Sequence, residues 1–324
     1  MFKICNINLE SPVFIWGTGR CGSYLLYDIM SLHPSLECLR THQNREKKGL
    51  WGELHWDSKS GIFEPNSGKP IEGFNHFWGP YVTSMTNLDG CYQTTSSLMP
   101  EESYIHVKNK YRALASKWIW TWRNPPLRFL DKCPRYIMMI DCISKLFPDA
   151  RHVFCVRDPR SVVNSILRLM RFTRANAVPP PYPDGFWANM YPAGFENVLG
   201  RPLVETVCWQ INELINLGLG HKSLLENKLH IIRIEEFFSS PRERVTELIY
   251  ALQLPVADEV FAQLPDCFPD FSPKWPSKHK DFERSFEISF NSSEFSNFQI
   301  FDSLVNQLGY DPKVPGKIVG PLRA

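Results

Sequence analysis

The chain has 324 residues, 43% hydrophobic and 22% charged, which suits one large or two small globular domains with a full core. A net charge of +2 gives no basic field large enough to favour nucleic acid. No run approaches the ~20 apolar residues of a membrane span, so no membrane partner is expected. The first ten residues lack the apolar stretch of a signal peptide. The nine cysteines are scattered, with no C-x-x-C and no metal-ligand spacing. Together these point to reduced thiols in a cytoplasmic protein with no bound metal.

Residues 13–16 (V-F-I-W) form a short unbroken apolar run, as a strand buried on both faces does. Gly17 and Gly19 then permit a tight turn with Arg20 at its tip. From Gly22 onward Leu25, Leu26, Ile29 and Met30 recur at helical spacing, until His33-Pro34 closes the helix. Strand, glycine turn and helix N-terminus make an anion cradle, because backbone N–H groups converge there and the helix dipole favours negative charge. A nucleotide-triphosphate loop would read G-x-x-x-x-G-K-[ST]. Gly17 and Gly22 have that spacing, but Ser23 stands where the lysine must be, and the cation has moved to Arg20 inside the loop.

Residues 33–42 read as a turn leading to a short second strand, and residues 43–48 as a solvated turn. Residues 50–81 are rich in aromatics, glycine and proline with no persistent period, as in a long structured insertion. Its aromatic walls suit an acceptor pocket. Residues 104–107 are expected to be a strand and residues 111–122 a helix ended by Pro125-Pro126. Pro134 starts a further helix striped by Ile137, Ile140, Ile143 and Phe147, so the Y-I-M-M-I-D run is not a Walker B strand. A buried strand follows at 152–156. Residues 171–201 gather five prolines among aromatics, as a lid or substrate loop would. The pattern then predicts a helix at 203–218, a strand at 229–234, a helix at about 242–252, a basic loop at 274–280, and a last helix at 298–308 capped by Gly309.

The strand at 152–156 delivers Arg157 at its end, and Ser161 opens a helix that carries Ser165. An arginine at a strand end and a serine on the next helix can hold one phosphate from two sides. This is a second anion element, independent of the first in sequence.

The first loop, G-T-G-R-C-G-S-Y-L-L, resembles the 5′-phosphosulfate loop of the sulfotransferase family, G-x-x-R-S-G-T-T-x-L. Cys21, Ser23 and Tyr24 replace a serine and two threonines. Backbone donation survives all three changes, and hydroxyl donation survives plainly at Ser23. The second element resembles the family's 3′-phosphate motif, R-D-P-R-x-x-x-x-S. Asp131-Lys132-Cys133-Pro134 is similar to E-K-T-P, Phe147 to Arg151 to F-P-D-A-K, Arg233 to Phe237 to R-Y-E-D-L without its tyrosine, and Leu308-Gly309-Tyr310 to a closing L-G-Y.

The resemblance implies an α/β fold, a single-domain P-loop-type parallel sheet flanked by helices over residues 1–324, with 50–103 and 171–201 as acceptor-side insertions. It implies the donor 3′-phosphoadenosine-5′-phosphosulfate (PAPS), released as adenosine 3′,5′-bisphosphate (PAP), and a small-molecule acceptor of the kind met in secondary metabolism. The donor site it implies is Gly17, Gly19, Arg20, Cys21, Gly22, Ser23 and Tyr24 with Arg157 and Ser165. Arg20 and then Lys132 are the expected catalytic cations. Family members often place a glutamate or histidine on the second strand shortly after the H-P turn, so the resemblance puts His42 first as general base, and unperturbed histidine titrates near the working pH; Glu53, His55 and Glu37 follow. Lys274, Lys278 and Lys280 are candidates to close over the 3′-phosphate. A small-molecule P-loop kinase and a non-catalytic nucleotide-binding protein of the same fold stay open at this point.

Overall fold

The computed structural model describes residues 7–38, 93, 95–98, 104–105, 108–109, 127–173, 186, 190–262, 264–268 and 295–323. Five strands form one sheet: β1 (Ile7–Gly17), β2 (Leu36–Glu37), β3 (Leu127–Lys132), β4 (Arg151–Val156) and β5 (Leu229–Arg233). They lie in the order β2-β3-β1-β4-β5, and every pairing is parallel. Parallel neighbours need crossover connections, which is why the sheet is covered on both faces.

The covering helices are α1 (Ser23–Met30), α2 (Ile140–Leu146), α3 (Pro159–Thr173), α4 (Leu203–Gly220), α5 (Ile234–Ser239), α6 (Pro241–Ala251) and α7 (Asp302–Gln307). Alternation along the strands sorts the core into two layers. Phe14, Trp16, Phe129 and Phe154 face α2, α3, α4 and α7. Val13, Ile15, Leu130, Val153 and Cys155 face α1, α5 and α6. Trp16 stacks on Phe154 of the neighbouring strand, with centroids 4.5 Å apart. α4 lies close against this pair because Gly218 has no side chain: a Cβ there would stand 2.4 Å from Phe154 Cζ.

The strands expected at 13–16, 152–156 and 229–234 are present, as is the short second strand. β1 extends back to Ile7 through an irregularity between Asn8 and Val13. Ser11 takes a φ of 49° there, and Arg128 donates to its carbonyl oxygen at 2.6 Å and to its hydroxyl at 3.0 Å. β3 was not expected: the sequence pattern assigns no element to residues 127–132, yet they pair with β1 in the middle of the sheet. The helix expected from Pro134 begins as a 3₁₀ turn (Pro134–Met138) and becomes α-helical only at Ile140.

The expected strand at 104–107 is corrected: Tyr104 and Ile105 are helical. The Tyr104 ring is buried, its hydroxyl donates to the Ser96 carbonyl at 3.1 Å, and Lys145 Nζ sits 4.2 Å from its centroid. The last helix also starts as a 3₁₀ turn (Phe295–Phe301) before α7, and Gly309 follows it at φ 74°. The expected helix at 111–122, the basic loop at 274–280 and most of the two insertions lie outside the described residues. Among the described residues, no helix is long and apolar enough to cross a membrane.

Candidate active site

β1 is flanked by β3 on one side and β4 on the other. The chain leaving β1 runs to β2, beyond β3; the chain leaving β4 runs the opposite way, to β5. Such a reversal opens a crevice at the carboxyl ends of the strands. Both anion elements emerge at that crevice.

The first element is shaped by close packing. Gly17 pairs with Cys155, and a Cβ on it would stand 2.5 Å from the Cys155 carbonyl oxygen and 2.6 Å from Cys21 Sγ. Thr18 is buried, and its hydroxyl donates to the Gly19 carbonyl at 3.0 Å. Gly19, Arg20 and Gly22 all lie in the left-handed region, at φ 74°, 55° and 81°. That is uncommon for an arginine and marks backbone held against its preference. Such a run curls N–H groups into a concavity. Gly22 is also the N-cap of α1 and supplies no side-chain cap, and a helix N-terminus of this kind suits an anionic acceptor.

The side chains of this loop divide. Cys21 is fully buried against Gly17, so only its backbone can serve an anion. Ser23 is buried at the start of α1. Tyr24 is half-exposed, and Lys132 Nζ stands 3.1 Å from its ring centroid. Lys132 is the last residue of β3, paired with Ile15 of β1, and has no exposed surface.

The second element meets the first directly. The Arg157 guanidinium donates through Nη1 to the Arg20 carbonyl oxygen at 3.2 Å. Arg20 donates through Nε to the Ser165 hydroxyl at 3.1 Å. Two elements expected as independent sites are therefore one continuous patch, because β1 and β4 are neighbours. Partial burial, and then the Arg157 charge, lower the pKa of Arg20, with Cys21 opposing. Two guanidinium groups held together in this way are favourable to an anion.

A buried network fixes the second arginine's surroundings. Asp158 is fully buried and pairs bidentately with Arg160, at 3.0 Å from Nε and 2.6 Å from Nη2. Arg160 also donates to the carbonyls of Asp311 and Pro312, and Asp158 accepts the Gly316 N–H at 2.8 Å. Glu235 accepts the Asp158 N–H at 3.1 Å and the Tyr310 hydroxyl at 2.7 Å. Burial pushes the Glu235 carboxyl up, while Arg157 and the Tyr310 hydrogen bond pull it back. Arg233 donates to the carbonyls of Leu308 and Gly320 and pairs with Glu236. The segments R-D-P-R, R-I-E-E-F and L-G-Y, distant in sequence, thus knit the C-terminal segment to the ends of β4 and β5. Glu235 and Tyr310 were not singled out from sequence; the motifs containing them were the only signal.

Ile234 stands where the resemblance places a tyrosine. It is buried against Gly22, where a Cβ would lie 2.4 Å from Ile234 Cγ1. Glu37 sits at the end of β2, buried, with Oε1 accepting the Cys38 N–H at 3.1 Å. His42, Glu53, His55, Lys274, Lys278 and Lys280 lie outside the described residues. The seven described cysteines are free thiols, and only Cys267 is exposed.

The fold defines a parallel α/β protein with a glycine turn and paired arginines at the sheet's topological switch. The chain belongs to the sulfotransferase family, whose model matches residues 12–258. It is similar to nodulation protein NoeE of Sinorhizobium fredii, at 27% identity over 135 residues; the match spans 41% of this chain and 30% of that protein's length. Among solved structures it resembles sulfotransferase STF9 from Mycobacterium avium, with a TM-score of 0.54, 13% identity, and coverage of 94% of this chain and 78% of that one. It also resembles the sulfotransferase domain from the curacin biosynthetic pathway, with a TM-score of 0.50, 18% identity, and coverage of 94% and 99%. At these identities the solved structures show the fold.

Proposed function

We propose that this chain is a PAPS-dependent sulfotransferase acting on a hydroxyl or amine of a small metabolite. The observation that carries the reading is the meeting of Arg20, Arg157 and Ser165 at the ends of β1 and β4. The left-handed glycine turn, the helix N-terminus without a side-chain cap and the two guanidinium groups suit a nucleotide with anionic groups at two positions. When bound, PAPS supplies the activated sulfuryl group.

The residues divide the work as follows. The turn from Gly17 to Tyr24 binds the 5′-phosphosulfate end through its backbone, with the Ser23 hydroxyl adding a donor. Arg157 and Ser165 bind the 3′-phosphate. By analogy with phosphoryl transfer, the reaction passes through a loose transition state in which charge gathers on the leaving oxygen. Arg20 meets that charge, with Lys132 as second cation. His42, with Glu53 next, takes the proton of an acceptor hydroxyl.

A small acceptor is supported by the aromatic residues of the insertions. The described group, Phe186, Tyr191 and Phe195 with Trp209 beside them, is packed as a buried cluster with ring centroids 5.1 to 5.9 Å apart, so this support rests on the aromatic content of the sequence. The test is PAP release from PAPS with a panel of phenols, alcohols and amines, followed by chromatography. Acceptor-dependent release is expected. PAP binding with no release on any acceptor would favour a non-catalytic binding protein.

A further inference from the structure

Tyr24 occupies the loop position where the resemblance has a threonine, and its side chain does something a threonine cannot. The Lys132 ammonium lies 3.1 Å from the Tyr24 ring centroid, directly against the π face. Lys132 has no exposed surface, while Tyr24 is 46% exposed. The ring thus covers one side of a buried ammonium and is itself partly open to solvent. The backbone sets up the encounter. β3 ends at Lys132 in register with Ile15, two residues before Gly17, and Tyr24 is the second residue of α1, just past the turn. A cation desolvated at a strand end gains most from an aromatic face. Long lysine side chains otherwise sample several rotamers, so a ring on one side also selects one of them.

We propose that Tyr24 is a positioning residue for Lys132: its ring face holds the ammonium beside the glycine turn, where the leaving oxygen of the donor is to be met. The proposal rests on the sulfotransferase reading only for the last clause; the pairing itself is independent of it. The hydroxyl lost relative to threonine is exchanged for a held cation. The ring, and not the phenolic oxygen, is the working part.

The test is the rate of lysine acylation by an N-hydroxysuccinimide ester, read residue by residue by peptide mass spectrometry. It compares wild type, Tyr24→Phe, Tyr24→Leu and Tyr24→Met. Phenylalanine keeps the π face; leucine and methionine keep bulk without it. Lys145, exposed, and Lys228, half-buried, report reagent dose in the same digest, and a thermal melt of each protein reports global unfolding. Lys132 is expected to react slowly in wild type and Tyr24→Phe, and at least tenfold faster in Tyr24→Leu and Tyr24→Met, with the control lysines unchanged. Equal protection in all four proteins, or fast acylation of wild-type Lys132, would overturn the proposal. So would a Tyr24→Phe protein that behaves like Tyr24→Leu. If one variant unfolds, shown by its melt, the other decides. A second arm adds saturating PAP to the Tyr24→Leu protein. Renewed protection of Lys132 supports its place beside the donor. Protection lost with the ring but not renewed by PAP leaves the pairing standing and removes Lys132 from the donor site.

Discussion

Arg20 and Ser165 stand 145 positions apart in the chain, yet the guanidinium Nε of one donates to the hydroxyl of the other at 3.1 Å. The contact joins the glycine turn after β1 to the helix after β4. It follows from strand order: with β1 and β4 paired from Val13↔Arg151 to Gly17↔Cys155, their following loops rise side by side. The serine oxygen that accepts from Arg20 keeps its own proton to donate. One anion can therefore take hydrogen bonds from both elements.

Arg20→Ala is expected to lower transfer by about 10²–10³-fold, the usual cost of removing a donor aimed at developing charge. Arg20 is exposed as a residue, although its guanidinium is partly desolvated, so the variant's melting temperature is expected to shift by no more than about 2 °C. Steady-state kinetics beside thermal unfolding checks both. Transfer within tenfold of wild type would remove Arg20 from the chemistry.

Arg157→Ala is expected to raise the donor KM by roughly ten- to a hundredfold, the worth of a hydrogen bond to a charged group. The turnover number should change less, because this contact exists in ground and transition states alike. A donor KM that does not move would withdraw the 3′-phosphate assignment.

Gly22→Ala combines two penalties. The backbone sits at φ 81°, and the new methyl would meet Ile234 at 2.4 Å, a buried side chain with no room to retreat. A loss of about 3 kcal/mol is expected. Gly200→Ala is the control: its φ is 75°, but nothing lies within 4 Å of the new atom, so only about 1 kcal/mol of backbone strain applies. Denaturant titration of the two variants separates packing from strain; equal losses would contradict the close approach of α5.

Acid stability should carry the mark of His152. It is fully buried between strands, stacked on Phe14 with centroids 5.8 Å apart. Burial, and then His221 and Lys228, bring its pKa down to about 3. The unfolded chain protonates this ring near 6.5, before the folded one does. Its contribution is thus complete above pH 6.5 and is lost as the pH falls toward 3, at about 1.4 kcal/mol per unit. His152→Phe removes that share of the slope, while His221 and His230, also lowered by burial, keep theirs. Urea midpoints between pH 7 and 4.5 test it; an unchanged slope would contradict a neutral buried His152.

The strand–turn–helix of residues 13–30 was legible because its signals are local: an apolar run, glycines where φ must be positive, and helical spacing. β3 was not, because Leu127–Lys132 is half charged and its polar groups are satisfied only in the folded chain. Arg128 reaches Ser11 and the Leu252 carbonyl, Asp131 accepts from Tyr136, and Lys132 lies under Tyr24. The same holds for the site. Arg20, Arg157 and Ser165 were legible one by one, but their contact depends on which strands are neighbours. At 104–107 the Y-I-H-V run suggested a strand, but Tyr104 and Ile105 are helical, with the Tyr104 hydroxyl donating to the Ser96 carbonyl.

The central claim is that one adenosine nucleotide carrying a 3′-phosphate binds across the β1 and β4 ends. Isothermal titration calorimetry of the whole chain with PAP, and separately with ATP and magnesium, tests it most directly. The account predicts saturable PAP binding that weakens on Arg157→Ala and little heat from ATP with magnesium. Tight uptake of ATP with magnesium, together with indifference to PAP, would contradict it.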